Sequence, residues 1–226
     1  MENEHQKELE YTFFADRQVG DLLAKIDYTL RSGMHIQREY PRPEELFRFI
    51  ERHYESLDAY YRNIFQLSLE RAGEAYQNRY YYLDFEGVNN RSMIPGGNRF
   101  KRHMETAHII VGMLFLKMYK LDANIEIDSV EGFIQLLFSE YEEEKKGLYR
   151  LIAGAKTEKT SDYLEADVVR EINNAFDEFS KLGWILWEND ERTKFKYLPS
   201  FERLRKKYER QILGIDELIE QYDSEK

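Results

Sequence analysis

Chemistry needs nucleophiles, bases or metal ligands held close together, and this sequence offers few candidates. Its five histidines are His5, His35, His53, His103 and His108, and it has no cysteine. The closest pair, His103 and His108, is five residues apart, so on a helix the two rings do not share the face that a zinc-binding i, i+4 pair occupies. Without thiols there is no disulfide framework and no thiolate metal site. Gly96 and Gly97 precede Asn98 and Arg99, not the Lys-Ser/Thr of a phosphate-binding loop, and nothing before them reads as a parallel strand. Asp84-Phe85-Glu86-Gly87 stands without the Gly-rich loop, lysine strand or catalytic loop of a kinase. Glu142, Glu143 and Glu144 beside Lys145 and Lys146 read as a solvated face. The expectation is a non-enzymatic protein with no catalytic residue, metal or cofactor.

Two other sets of side chains suit binding. Between residues 192 and 210, Arg192, Lys194, Lys196, Arg203, Arg205, Lys206, Lys207 and Arg210 face only two acidic residues, Glu202 and Glu209. Such a cluster could touch phosphate backbones without reading sequence. A soluble face balancing an acidic protein explains it equally well. The chain also carries 17 Tyr and 14 Phe, an aromatic share of 15%. Tyr60, Tyr61 and the run Tyr80-Tyr81-Tyr82 supply more rings than one narrow core face takes up. Tyr60, Tyr61, Tyr80 and Tyr82 are therefore candidate protein-partner contacts, since aromatic anchors dominate interface energetics.

The elements that would position these residues are mainly helical. Apolar residues Phe14, Val19, Leu22, Leu23, Ile26 and Leu30 predict a helix over residues 13–30, ended by Gly33. Pro41, Pro43, Glu44 and Glu45 mark a second start, with Leu46, Phe47, Phe49, Ile50 and Tyr54 on its apolar face. A third helix is expected over 57–65. Residues 67–70 and 79–85 then form a hairpin about a turn at 72–78. The polar, Gly-rich stretch 86–98 reads as a linker, dividing an N-terminal domain (1–98) from a C-terminal one (99–226).

The layout repeats in the second half. A helix over 100–119 is nearly continuously apolar at 109–116, and a second over 130–141 has Asp128 or Ser129 as its cap. Residues 142–162 carry mixed signals and no assigned order. The third helix, 165–182, shows the stripe Val168, Val169, Ile172, Phe176, Phe179 and Leu182, with Gly183 where a left-handed residue is wanted. A hairpin of 184–187 and 194–198 about a polar turn follows. Beyond Pro199, Phe201, Leu204, Tyr208, Ile212, Ile215, Ile219 and Tyr222 predict one continuous helix with a docking stripe. The fold class is mainly α with small β-hairpins, arranged as tandem winged-helix domains.

Composition narrows the function. A chain of 226 residues with 42% hydrophobic content can fill a core, and 34% charged residues give it a polar surface. The net charge of −10 is evenly shared, with 12 basic against 17 acidic residues over 1–98 and 21 against 26 over 99–226. Neither half is a basic DNA-gripping domain. The third helix of the second half shows Glu165, Asp167, Glu171, Asp177 and Glu178 against only Arg170 and Lys181, so a DNA groove would repel it. The amino terminus lacks the basic start and apolar run of a secretory signal, and no apolar stretch approaches the ~20 residues a membrane span needs. A cytoplasmic protein is expected.

With these stretches in view, the chain resembles the MukE/MksE type of condensin subunit, the kite proteins of bacterial SMC complexes, with the Wadjet kite subunit as a close alternative. The resemblance is carried by Arg79-Tyr80-Tyr81-Tyr82-Leu83, by the apolar helix over 109–119, and by Leu182-Gly183-Trp184-Ile185-Leu186 with Phe195-Lys196-Tyr197-Leu198-Pro199-Ser200. It implies a nucleoid-associated homodimer of tandem winged-helix protomers without enzymatic activity. Its partners would be a kleisin subunit of the MukF/MksF kind, through it an SMC ATPase, and DNA in the assembled complex. The implied role is chromosome organisation or plasmid defence. A stand-alone winged-helix transcription regulator is the alternative.

Overall fold

The computed structural model describes residues 11–41, 43–86, 104–122, 126–141, 149 and 165–214. The expected linker beyond Glu86, the stretch 142–162 apart from Tyr149, and the stripe residues Ile215, Ile219 and Tyr222 lie outside them. The chain divides into two compact units, Met1–Arg102 and His103–Lys226.

In the first unit a 3₁₀ turn, Thr12–Ala15, precedes α1, Val19–Arg31. Leu22, Ile26 and Leu30 recur every fourth residue and form the buried stripe of α1. Phe14 does not join that stripe. Three residues per turn place Phe13 in the core at 0% exposure and leave Phe14 at 53%.

The two helices expected next are one helix, α2, Glu45–Phe65, bent at His53, whose φ of −117° and ψ of 20° leave the helical range. No loop separates the halves. His53 Nε2 lies 2.8 Å from Asp16 Oδ2, which also accepts from Arg52 Nη1 at 2.7 Å. A tertiary carboxylate thus holds the residues at the bend, and no proline is involved.

Strand β1 (Ile36–Gln37), β2 (Ser68–Ala72) and β3 (Tyr80–Asp84) form an antiparallel sheet in the order β1-β3-β2. Leu69 pairs with Leu83 and Ile36 with Tyr81, and these four side chains enter the core with Phe47, Ile50 and Leu57. At the turn, Gly73 has φ +83°, and an added Cβ would sit 2.0 Å from the Asn78 carbonyl oxygen.

In the second unit α3, Thr106–Leu116, runs into a π turn, Lys117–Leu121. Helix α4, Val130–Glu140, starts at Ser129, whose hydroxyl accepts from the Gly132 amide at 3.1 Å. Helix α5, Glu165–Leu182, buries Val168, Ile172, Ala175, Phe176 and Phe179 on one stripe. Gly183 follows at φ +74° and reverses the chain into β4, Ile185–Trp187, which pairs with β5, Phe195–Tyr197. A 3₁₀ turn, Pro199–Phe201, leads into α6, Glu202–Lys207, and then α7, Glu209–Leu213. The continuous terminal helix expected from the stripe is therefore interrupted at Tyr208, where φ is −118°.

Phe115 is the hub of this core, with ring centroids of Phe133, Phe176, Phe195 and Phe201 all within 5.8 Å of it. Helix α3 approaches its neighbours so closely that a Cβ on Gly112 would lie 2.6 Å from Leu204 Cδ2 and 3.1 Å from Phe179 Cζ.

Gly112→Val is accordingly expected to overpack this crossing and cost ~1–3 kcal/mol, seen as a lower urea midpoint. Gly20→Ala, with nothing within 4 Å of the added methyl, should gain up to ~1 kcal/mol in the same measurement. A pH series tests the bend. The amide of Gln18, the His53 ring and Arg52 hold the Asp16 carboxyl down at about 2, against an ordinary value of 3.8. A carboxyl depressed in the fold stabilises it above the unfolded-state value, and that help disappears as pH falls through the folded-state value. The urea midpoint of the native chain should exceed that of Asp16→Asn fully above about pH 4, and the gap should close as pH approaches 2.

Candidate functional site

The tyrosines expected at a partner surface fall into two groups. Tyr61 on α2 is 0% exposed, and burial, reinforced by Asp27, pushes its phenol well above its usual range. Tyr80 on β3 is 2% exposed, beside His35 with centroids 5.9 Å apart. Both rings are buried, Tyr61 in the core of the first unit and Tyr80 outside it. Period two on β3 explains the pair: Tyr81 and Leu83 face the main core, while Tyr80 and Tyr82 stack on the other side at 6.1 Å.

Tyr60 and Tyr82 remain half-buried. Tyr60 meets Tyr11, Phe13, Phe14 and Phe65 edge-on at 5.6–6.4 Å. Ile64, one turn further along α2, is 51% exposed, and Phe14 is 53% exposed. Phe14, Tyr60 and Ile64 thus make an apolar surface held in place by a buried aromatic bed. Phe14 and Ile64 were not legible as surface groups, because apolar periodicity marks both for the core.

The basic stretch is distributed over the β4–β5 turn, β5, α6 and α7 and is partly neutralised. Arg192, in the β4–β5 turn at φ 55°, reaches Asp177 on α5 at 3.1 Å. Lys194 pairs with Asp128 at 3.0 Å, and its hydrogen bond holds the Asp128 carboxyl below the usual range. Arg205 donates to Glu202 at 2.5 Å and to Glu209 at 3.1 Å. Lys196 is exposed on β5, and Arg203 is half-buried on α6. Lys206, Lys207 and Arg210 are exposed and enter no ion pair among the described residues.

Glu202 organises the base of this region. Burial raises its carboxyl, but hydrogen bonds from Arg205 and from Tyr197, at 2.7 Å, outweigh burial and leave it below the ordinary carboxylate value. Partial burial and the facing Glu202 carboxylate push the half-buried Tyr197 far above the usual phenol range. Its ring stacks on Tyr119 at 4.9 Å, and Lys120 Nζ stands 4.6 Å from the Tyr197 centroid.

On α5 both cations are held by acidic neighbours of the same helix, Arg170 by Asp167 at 2.7 Å and Lys181 by Glu178 at 2.8 Å. The acidic reading of this helix needs one correction. Glu171 is 2% exposed, so it is an interior group and adds nothing to the repulsive outer face. It faces His108 of α3, with Glu171 Oε2 and His108 Nε2 3.7 Å apart. His103 lies outside the described residues. No described helix is long and apolar enough to cross a membrane.

No curated protein matches the chain. The family of the condensin complex protein MksE does, over residues 21–209, a span that runs from the first turn of α1 in the first unit through the β4–β5 hairpin and α6 to the start of α7 in the second. With most of its length matched, and with helices and small antiparallel sheets in both units, the chain belongs to the MksE family of condensin complex proteins.

Proposed function

We propose that the protein is a non-catalytic kite subunit: a homodimer of tandem winged-helix protomers that binds a kleisin of the MukF/MksF kind and, through it, an SMC ATPase. It works in the cytoplasm on the nucleoid, in chromosome organisation or in defence against plasmids. The observation that carries this reading is the family match across both units. The second unit supports the winged-helix assignment, because three helices, α3, α4 and α5, lead into a two-stranded wing. In the first unit, two helices and a bend lead into the three-stranded sheet.

Charge supports protein over DNA as the main partner. The helix that would enter a groove has its two cations tied to carboxylates, and the wing cations Arg192 and Lys194 are tied down as well. A stand-alone transcription regulator would need those groups free to meet phosphates and base edges. The cations left for phosphate contact inside an assembled complex are Lys206, Lys207 and Arg210. Their role is sequence-blind and salt-sensitive.

Co-expression with a kleisin of the MukF/MksF kind from the same genome should yield a stable complex on size exclusion, and recovery of the two proteins as separate species rejects the partner assignment. Tyr60→Ala combined with Ile64→Ser is expected to weaken kleisin binding about 10-fold or more in calorimetry while circular dichroism stays unchanged. Reversing Lys206 and Lys207 to Glu should lower the slope of DNA retention against salt for the loaded complex by about two phosphate contacts. An unchanged slope removes those lysines from DNA contact.

A further inference from the structure

Helix α3 is apolar along nearly its whole length, with one imidazole near its start. His108 is 6% exposed, and its Nε2 is buried without a hydrogen-bond partner. Opposite stands Glu171 of α5, at 2% exposure. The 3.7 Å between their nearest atoms exceeds a hydrogen bond. A third group joins them from outside. Glu105, exposed at the N-cap of α3, lies three residues before His108, and the i, i+3 spacing puts both on one face. One ligand atom from each of Glu105, His108 and Glu171 falls within 4.8 Å of the others.

The buried Nε2 of His108 is the atom that lacks a hydrogen bond, and a polar atom buried in that way is costly. The separation does suit two ligands of one ion. With bonds of about 2.1 Å, neighbouring ligands of a tetrahedral centre sit about 3.4 Å apart.

We propose that Glu105, His108 and Glu171 form a binding site for a divalent transition-metal cation, with zinc the best fit. One imidazole and two carboxylates make a nitrogen–oxygen set of the kind zinc accepts, whereas magnesium and calcium favour oxygen alone. Three protein ligands leave a fourth position for water or for a side chain brought by a partner. The ion joins the first turn of α3 to the middle of α5. It is a clamp within the second unit and takes no part in a reaction. The site does not depend on kleisin binding, so the two assignments can fail separately.

The test uses the full chain, treated with chelator and titrated with zinc chloride alone against a chromogenic competitor. One zinc per chain is expected, with a melting temperature raised by roughly 5 °C at saturating metal. Glu105→Gln alters an exposed side chain, leaves the core intact and should weaken zinc binding about 10-fold or more; His108→Asn should weaken it about 100-fold or more. Should His108→Asn fail to fold, Glu105→Gln alone decides. Uptake weaker than ~100 μM by the native chain, or native-like binding by Glu105→Gln, overturns the site. Displacement of zinc by equimolar magnesium overturns the choice of a transition metal.

Discussion

The second unit depends on the burial of α3 on nearly every side. An ordinary surface helix has a polar face that tolerates imprecise packing, but α3 has none between Ile109 and Leu116. Its neighbours must therefore fit all round it. Gly112 allows Leu204 and Phe179 to close on the helix, and Phe115, one turn further on, meets four phenylalanine rings. Because α5, β5 and the turn before α6 each contribute a ring to that cluster, the hairpin and the start of α6 are fixed by the same core. A polar group on such a helix has no route to water except at the ends. His108 sits near one end, and the Lys117, Tyr119 and Lys120 turn at the other meets Tyr197 and Glu202.

Much of this was legible because it is local. The stripe of α5, Gly183 and the Trp184 to Leu198 hairpin lie within about 35 residues, and each uses a rule of periodicity or turn chemistry that needs no distant partner. The Ser129 cap was legible for the same reason. What sequence did not disclose depends on groups far apart in the chain. The bend of α2 at His53 rests on Asp16, 37 positions away. Strand β1 is two residues long and has meaning only against β3. Glu171 counts as one more acidic residue in a sequence. Its interior placement follows from the crossing of α3 and α5, which periodicity of either helix alone does not specify.

The surface follows a related logic. A chain with 34% charged residues has many cations, yet a large share of those in the second unit are tethered by its own carboxylates. Individually such exposed pairs add little stability, with a typical worth of ~0–1 kcal/mol. Their effect on recognition is larger than their effect on folding. An arginine held at 3.1 Å by Asp177 presents neutralised charge to an approaching phosphate, and its release must precede any new contact.

The two kinds of candidate surface differ in what must be released before contact. A charged patch is useful only to the extent that its charges are unengaged, and among the described residues that criterion reduces eight basic candidates to a few on α6 and α7. An apolar ring needs no release step. Phe14 and Ile64 already stand in water beside Tyr60, on a base of buried Phe13 and Tyr61 that fixes their positions. Binding there would remove apolar area from water and lose little side-chain freedom, since Tyr60 is already restrained by five ring neighbours. In this member of a condensin complex family, the aromatic surface of the first unit is set in place by buried rings, whereas the cations of α5 and of the β4–β5 turn in the second are engaged by carboxylates of the same unit.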